Sequence, residues 1–295
     1  MATIVIIWGL IILFILQPGI SHEGAEFGAQ LFIHALLPYL LPYIILTQWL
    51  LKIPYRAKQN SKWRTFTKAY ILGSFGGFPV GAVTVSEMKK NGELTKRQSG
   101  LLLAACHAPG PMFVIGFVGT ELFGNVGAGW KLLAAIHLSN ILFFLLTLLF
   151  LRKDESQDQI TIDHGPRQTG LPLLDAIKES SSIIILVATT VIFFSSLGTV
   201  LSSVATATFT VDLGIAKTIA LSIFEMTSGV QSATDHFYDS PIFPFLIAAI
   251  LSLNGMSIHM QVFVIANAAR VPMSPYILGR LWSIILVPFL FYLFY

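Results

Sequence analysis

Gly73-Ser74-Phe75-Gly76-Gly77-Phe78-Pro79-Val80-Gly81 interrupts an apolar stretch that would otherwise read as one membrane helix. Four glycines and a proline in nine residues cannot keep an unbroken ladder of backbone hydrogen bonds. Each interior glycine lowers helix stability by ~1 kcal/mol relative to alanine and an interior proline by ~3. In hydrocarbon such a break survives only where protein or a water-filled cavity surrounds it. Three more breaks follow, at Pro109-Gly110-Pro111, around Thr227-Ser228-Gly229, and at Asn254-Gly255. The chain therefore reads as a bundle organised around interrupted helices and not as a simple anchor.

Composition sets the class. Apolar residues make up 55% of the 295 and charged residues 11%. Successive apolar runs of about 20 residues fit an all-α, polytopic membrane bundle. The net charge of +3 comes from a few Lys/Arg clusters and does not point to nucleic acid. The single cysteine, Cys106, excludes an intrachain disulfide and a Cys-based zinc site, and no metal ligands are assigned. The first apolar run, Ile4 to Leu16, lacks a basic n-region and a small-residue cleavage pattern, so it is expected to be a retained helix.

The expected membrane elements are 3–17, 31–51, 70–88, 99–120, 130–151, 175–201, 213–231, 241–267 and 276–295. The distribution of positive charge decides which of them cross. Residues 52–68 carry six Lys/Arg, 89–97 carry four and 152–178 carry four, whereas 18–30, 120–130 and 232–240 carry none. If every element spanned, these clusters would fall on opposite sides. If 70–88 is a re-entrant hairpin turning at Gly76–Pro79, the clusters share the cytoplasmic side, and Arg270 and Arg280 join them. Lys131 and Lys217 are then the exceptions among 18 cationic residues. About seven spans and two re-entrant hairpins result.

The same order of elements occurs twice: a spanning helix, a glycine-broken hairpin, a broken span and a final span. The expected organisation is a peripheral helix over 1–20, a first repeat over 21–151, a cytoplasmic linker over 152–174 and a second repeat over 175–295. With the linker inside, the second repeat enters the membrane in the opposite sense. Inverted repeats with discontinuous helices meeting near mid-membrane are a recurrent secondary-transporter design.

Several motifs carry a family resemblance. They are Leu36-Leu37-Pro38-Tyr39-Leu40-Leu41-Pro42-Tyr43, Gly76-Gly77-Phe78-Pro79-Val80-Gly81-Ala82 and Asn91-Gly92-Glu93-Leu94-Thr95-Lys96. Gly110-Pro111-x-Phe113-x-x-Gly116, His137-Leu138-Ser139-Asn140 and Phe224-Glu225-Met226-Thr227-Ser228-Gly229 extend the pattern over nearly the whole chain. Together they resemble the nucleoside-recognition (Gate) domain membrane proteins, in particular the sporulation members of that family. His107 departs from the pattern, standing where asparagine or another small polar residue is expected. The resemblance implies transport of a small solute. An organic anion such as dipicolinate comes first and a nucleoside-like solute second.

The breaks also nominate the site. Pro79 and Pro111 each follow a glycine motif and precede an apolar run, so each suits the start of a half-helix, where a missing N–H costs nothing. Free N–H groups and the positive dipole end there suit an anionic or strongly polar solute. The candidate substrate-binding residues are Gly76, Gly77, Phe78, Pro79, His107, Gly110, Pro111, Glu225, Thr227, Ser228, Asn254 and Ser257. His107 and Glu225 are ionisable groups expected at membrane depth, which are costly unless functional. Ser257 also reads as a cap for the helix after the fourth break. No cofactor is expected, and the residues leave the coupling ion, Na⁺ or H⁺, open. The expected partners are a solute, the lipid bilayer and, compatibly, a second copy of the chain. A non-transporting membrane assembly protein is the competing class. It predicts tightly packed breaks without a polar cavity. No HExxH, GxSxG or paired-aspartate motif supports an enzyme.

Overall fold

The computed structural model describes residues 1–53, 62–151 and 171–295, and every regular element among them is helical. In chain order these are α1 (Ala2–Leu16), α2 (Pro18–Lys52), α3 (Lys62–Gly76), α4 (Val80–Lys90), α5 (Lys96–Cys106) and α6 (Phe113–Leu122). The chain continues with α7 (Val126–Leu151), α8 (Pro172–Phe209), α9 (Leu213–Phe224), α10 (Met226–Phe237), α11 (Phe243–Leu253), α12 (Gly255–Ala268) and α13 (Ser274–Phe294). The turn Phe32–Leu36 inside α2 and the whole of α6 are π-wound. Most of the expected linker, 152–170, and part of the first basic loop, 54–61, lie outside the described residues.

Among the described residues, five stretches are long and apolar enough to cross a membrane: Pro18–Lys52, Val126–Leu148, Pro172–Phe209, Phe243–Ala268 and Ser274–Phe294. The expected span over 99–120 is instead two short helices, α5 and α6, separated by non-helical backbone at 107–110. Conversely, α2 begins well before 31. Its first turns are polar enough to read as a loop, yet they pack on α8 through small side chains. A Cβ on Gly24 would lie 2.7 Å from Thr199 Oγ1, and one on Gly28 would lie 2.6 Å from Ser195 Oγ. Ser21 Oγ sits 3.1 Å from Ser196 Oγ. Small residues one turn apart let helix backbones approach closely where no aqueous hydrophobic effect drives association.

The first glycine motif folds the chain back. Lys68 Nζ meets Glu93 Oε2 at 3.0 Å. A continuous helix would hold residues 25 apart about 37 Å away from one another, at ~1.5 Å per residue. A Cβ on Gly73 would lie 3.2 Å from Gly81 Cα, so α3 and α4 touch near their shared tip. The α9–α10 pair does the same more tightly. A Cβ on Gly229 would fall 2.6 Å from Ser222 Cα, Thr218 Oγ1 is 3.0 Å from Ser232 Oγ, and a Cβ on Gly214 would meet His236. These pairings run in opposite directions along the two helices, so α9 and α10 are antiparallel.

The two folded-back pairs open toward opposite ends of α2. Near its Lys52 end, Lys52 pairs with Glu179 at 2.6 Å, Lys68 with Glu93, and Lys89 donates to the carbonyl of Arg270. Near its other end, Lys217 reaches Glu23 at 3.6 Å beside the open end of α9–α10. The described parts of the basic loops thus gather at one end. Cysteines introduced at positions 56 and 93 are therefore expected to react with an impermeant maleimide from the same membrane side. Labelling from opposite sides would defeat the folded-back topology.

Candidate functional site

Both folded-back tips point at the middle of the bundle and are met there by the two broken helices. Gly77 has φ +74°, and a Cβ on it would lie 2.6 Å from the amide nitrogen of Gly110. The first break therefore crosses the second backbone against backbone. Gly255, with φ +68°, repeats the arrangement, since its Cβ would lie 2.9 Å from the amide nitrogen of Met226. The third break crosses the fourth in the same way.

Between the crossings lies a small cavity of about 30 Å³. Phe78, Pro109 and Gly110 form its wall from the first pair of breaks, and Glu225, Met226 and Thr227 from the second. Ile258 and Gln261 of α12, Leu36 and Leu40 of α2, and Val187 and Val191 of α8 complete it. The surface that faces it is hydrocarbon; Glu225, Thr227 and Gln261 stand in the wall with their polar atoms turned away from the space.

Among the described residues, two with a formal charge are buried: Glu225 at 1% exposure and Arg280 at 6%. Helix ends created by the breaks hold both. Glu225 caps α10, its Oε2 accepting from the Ser228 N–H at 2.6 Å, while Ser257 Oγ lies 3.4 Å from Oε1. A carboxylate at a helix N-terminus meets orphan donors and the positive dipole end. Arg280 faces one end of the other sign and one side-chain amide. Its Nη2 donates to the carbonyl of Ala104 in the last turn of α5 at 3.2 Å. Its Nη1 lies 3.2 Å from the Asn254 amide oxygen, in the amide orientation that also lets Asn254 donate to Leu251 O at 2.6 Å.

His107 joins the second break to the fourth. Its ring lies 4.3 Å from that of Phe78, centre to centre. Its Nε2 is 3.3 Å from both the Tyr276 hydroxyl and the Asn254 oxygen. Tyr276 continues to His259 Nδ1 at 2.8 Å. Asn140 donates to the His107 carbonyl at 3.4 Å, so α7 braces the second break, and Tyr70 OH of α3 approaches His137 Nδ1 at 3.2 Å, so α7 also holds the helix that leads into the first.

Of the twelve sequence candidates, Phe78, Gly110, Glu225 and Thr227 line the cavity. Gly77, Ser228 and Ser257 stand directly behind them, bonded or crossed onto wall residues. His107 and Asn254 lie one layer further back, in the cluster around Arg280. Gly76, Pro79 and Pro111 shape the turns and do not line the cavity. Pro79 is the N-cap of α4, and Pro111 opens the turn that leads into α6. Ser257 is not the cap of α12, because Asn254 holds that position at φ +73° and Ser257 turns to Glu225 instead.

Sequence reading misplaced Arg280 among the cytoplasmic cations, although the structure buries it. A signal was present. Arg280 is the one charged residue in the 21-residue apolar helix α13, on the same face as Tyr276 and Ser283. A charged residue within such a helix faces the bundle interior. Gln261, on the cavity wall, left no comparable mark.

Five long apolar helices, the buried polar cluster and the helix breaks at their centre define a multi-pass integral membrane protein. The chain is distantly similar to the sporulation integral membrane protein YlbJ of Bacillus subtilis (strain 168). The two are 21% identical over 306 residues, covering 90% of this chain and 75% of that relative. No family model matches the chain, and no solved structure does.

Proposed function

We propose that the protein is a membrane transporter, and not an enzyme, for a small polar or anionic solute. It is built from two inverted repeats whose re-entrant hairpins, α3–α4 and α9–α10, meet near mid-membrane. A dipicolinate-like organic anion is the favoured solute and a nucleoside-like one the next. The observation that carries this reading is the meeting of four helix interruptions at one cavity with a buried carboxylate in its wall. Four half-helices, α4, α6, α10 and α12, begin at these interruptions. Glu225 accepts from the Ser228 N–H, so the N-terminus of α10 carries a buried acid beside the cavity. The opposed hairpins support alternating access by rocking one half against the other.

The test is uptake into proteoliposomes. Purified protein is expected to give saturable dipicolinate flux above empty vesicles, with nucleosides as the second panel. His107→Ala removes the ring that backs Phe78 and the contacts to Tyr276 and Asn254, and is expected to slow flux about tenfold, ~1.4 kcal/mol. The hydrocarbon lining of the cavity favours, as a second reading, a non-transporting membrane scaffold. That reading predicts no flux for either panel and no effect of the His107 variant on partner assembly.

A further inference from the structure

We infer that Arg280 is a positioning residue that ties the second break to the fourth, so that the two halves of the bundle move through one guanidinium. It rests on the two-half reading above. One arm of the fork, Nη2, holds Ala104 O of α5 in the first half. The other, Nη1, faces the Asn254 side chain at the end of α11 in the second half. Ala104 O is one of the carbonyls at the C-terminal end of α5 that lack an intrahelical donor, and Asn254 offers its side-chain oxygen at the junction of α11 and α12. The C-terminal end of α5 carries roughly half a negative charge and offsets part of the guanidinium's, while Asn254, where α11 ends and α12 begins, adds the dipole of its side-chain amide. This accounts for a fixed cation at 6% exposure with no carboxylate bonded to it among the described residues.

The backbone makes the short reach available. A Cβ on Gly279 would lie 3.0 Å from Ala104 Cβ, so α13 is held against the last turn of α5 beside the fork. Tyr276, one turn earlier, has its ring 5.8 Å from the guanidinium carbon and bonds to His107 and His259. A lysine at 280 would keep the charge, but a single ammonium cannot match the planar fork that reaches two separated ends.

The tie is tested without any solute, in detergent or nanodiscs. Thermal midpoints are measured for the wild type, N254D, R280Q and the double variant. Aspartate tolerates the left-handed backbone at 254, so the substitution changes charge with little added backbone strain. N254D is expected to be at least 5 °C less harmful with Arg280 present than in the R280Q background. Equal shifts in both backgrounds would overturn the tie. R280K guards against loss of folding in R280Q. It is expected to speed amide exchange about tenfold at 104–110 and at 254–258 together. Faster exchange confined to 276–284 would mean local packing of α13 and would also overturn it. A failed flux assay leaves these outcomes unchanged, and their failure leaves the transport reading standing.

Discussion

Alanine at position 77 is expected to destabilise the protein by about 2–5 kcal/mol. Two effects add. The left-handed backbone at φ +74° costs a side chain ~1–2 kcal/mol. The new methyl would also sit 2.6 Å from the Gly110 amide nitrogen, and relieving such overpacking costs ~1–3 kcal/mol. Because the obstacle is backbone, no side-chain rotation relieves it. Gly255→Ala meets the same two effects at the other crossing, where the methyl would lie 2.9 Å from the Met226 amide nitrogen. Gly19→Ala is the control, since nothing lies within 4 Å of its Cβ position in the first turn of α2, and no loss of stability is expected. Equilibrium unfolding in detergent measures all three. If Gly77 and Gly255 behave like Gly19, the crossings are not as close as described.

Glu225→Ala is expected to reduce solute flux by at least tenfold. Glu225 stands in the cavity wall, and its carboxylate caps α10. Loss of the cap alone lowers stability by about 0.5–2 kcal/mol. Glu225→Gln separates the roles, because its amide oxygen remains an acceptor for the Ser228 N–H while the charge is gone. Full stability with reduced flux in the glutamine variant would show that the charge acts on solute or coupling ion. Wild-type flux in both variants would reduce Glu225 to a structural cap and remove the cavity as the site.

The positions of the four breaks were legible because glycine and proline report backbone conformation directly. Gly77, Pro109-Gly110 and Asn254-Gly255 are where the helices part. The third break is centred on Glu225, just before the Thr227-Ser228-Gly229 motif that signalled it. The loop charges also carried weight, since Lys68–Glu93 and Lys89–Arg270 join basic segments distant in the chain. The start of α2 was illegible, because Ser21, Gly24 and Gly28 become helical surface only against Ser195, Ser196 and Thr199.

From its residues alone the chain declared a helical membrane protein, the places where its helices are cut, and the candidates Phe78, Gly110, Glu225 and Thr227. Those properties are local: hydrocarbon content over twenty residues, or the backbone freedom of one glycine. Which cut end meets which, and that Arg280 turns inward to two of them, was decided by tertiary packing. A cut helix exposes carbonyls and N–H groups whose partners can come from anywhere in the chain, and only the assembled bundle shows which side chain is within reach.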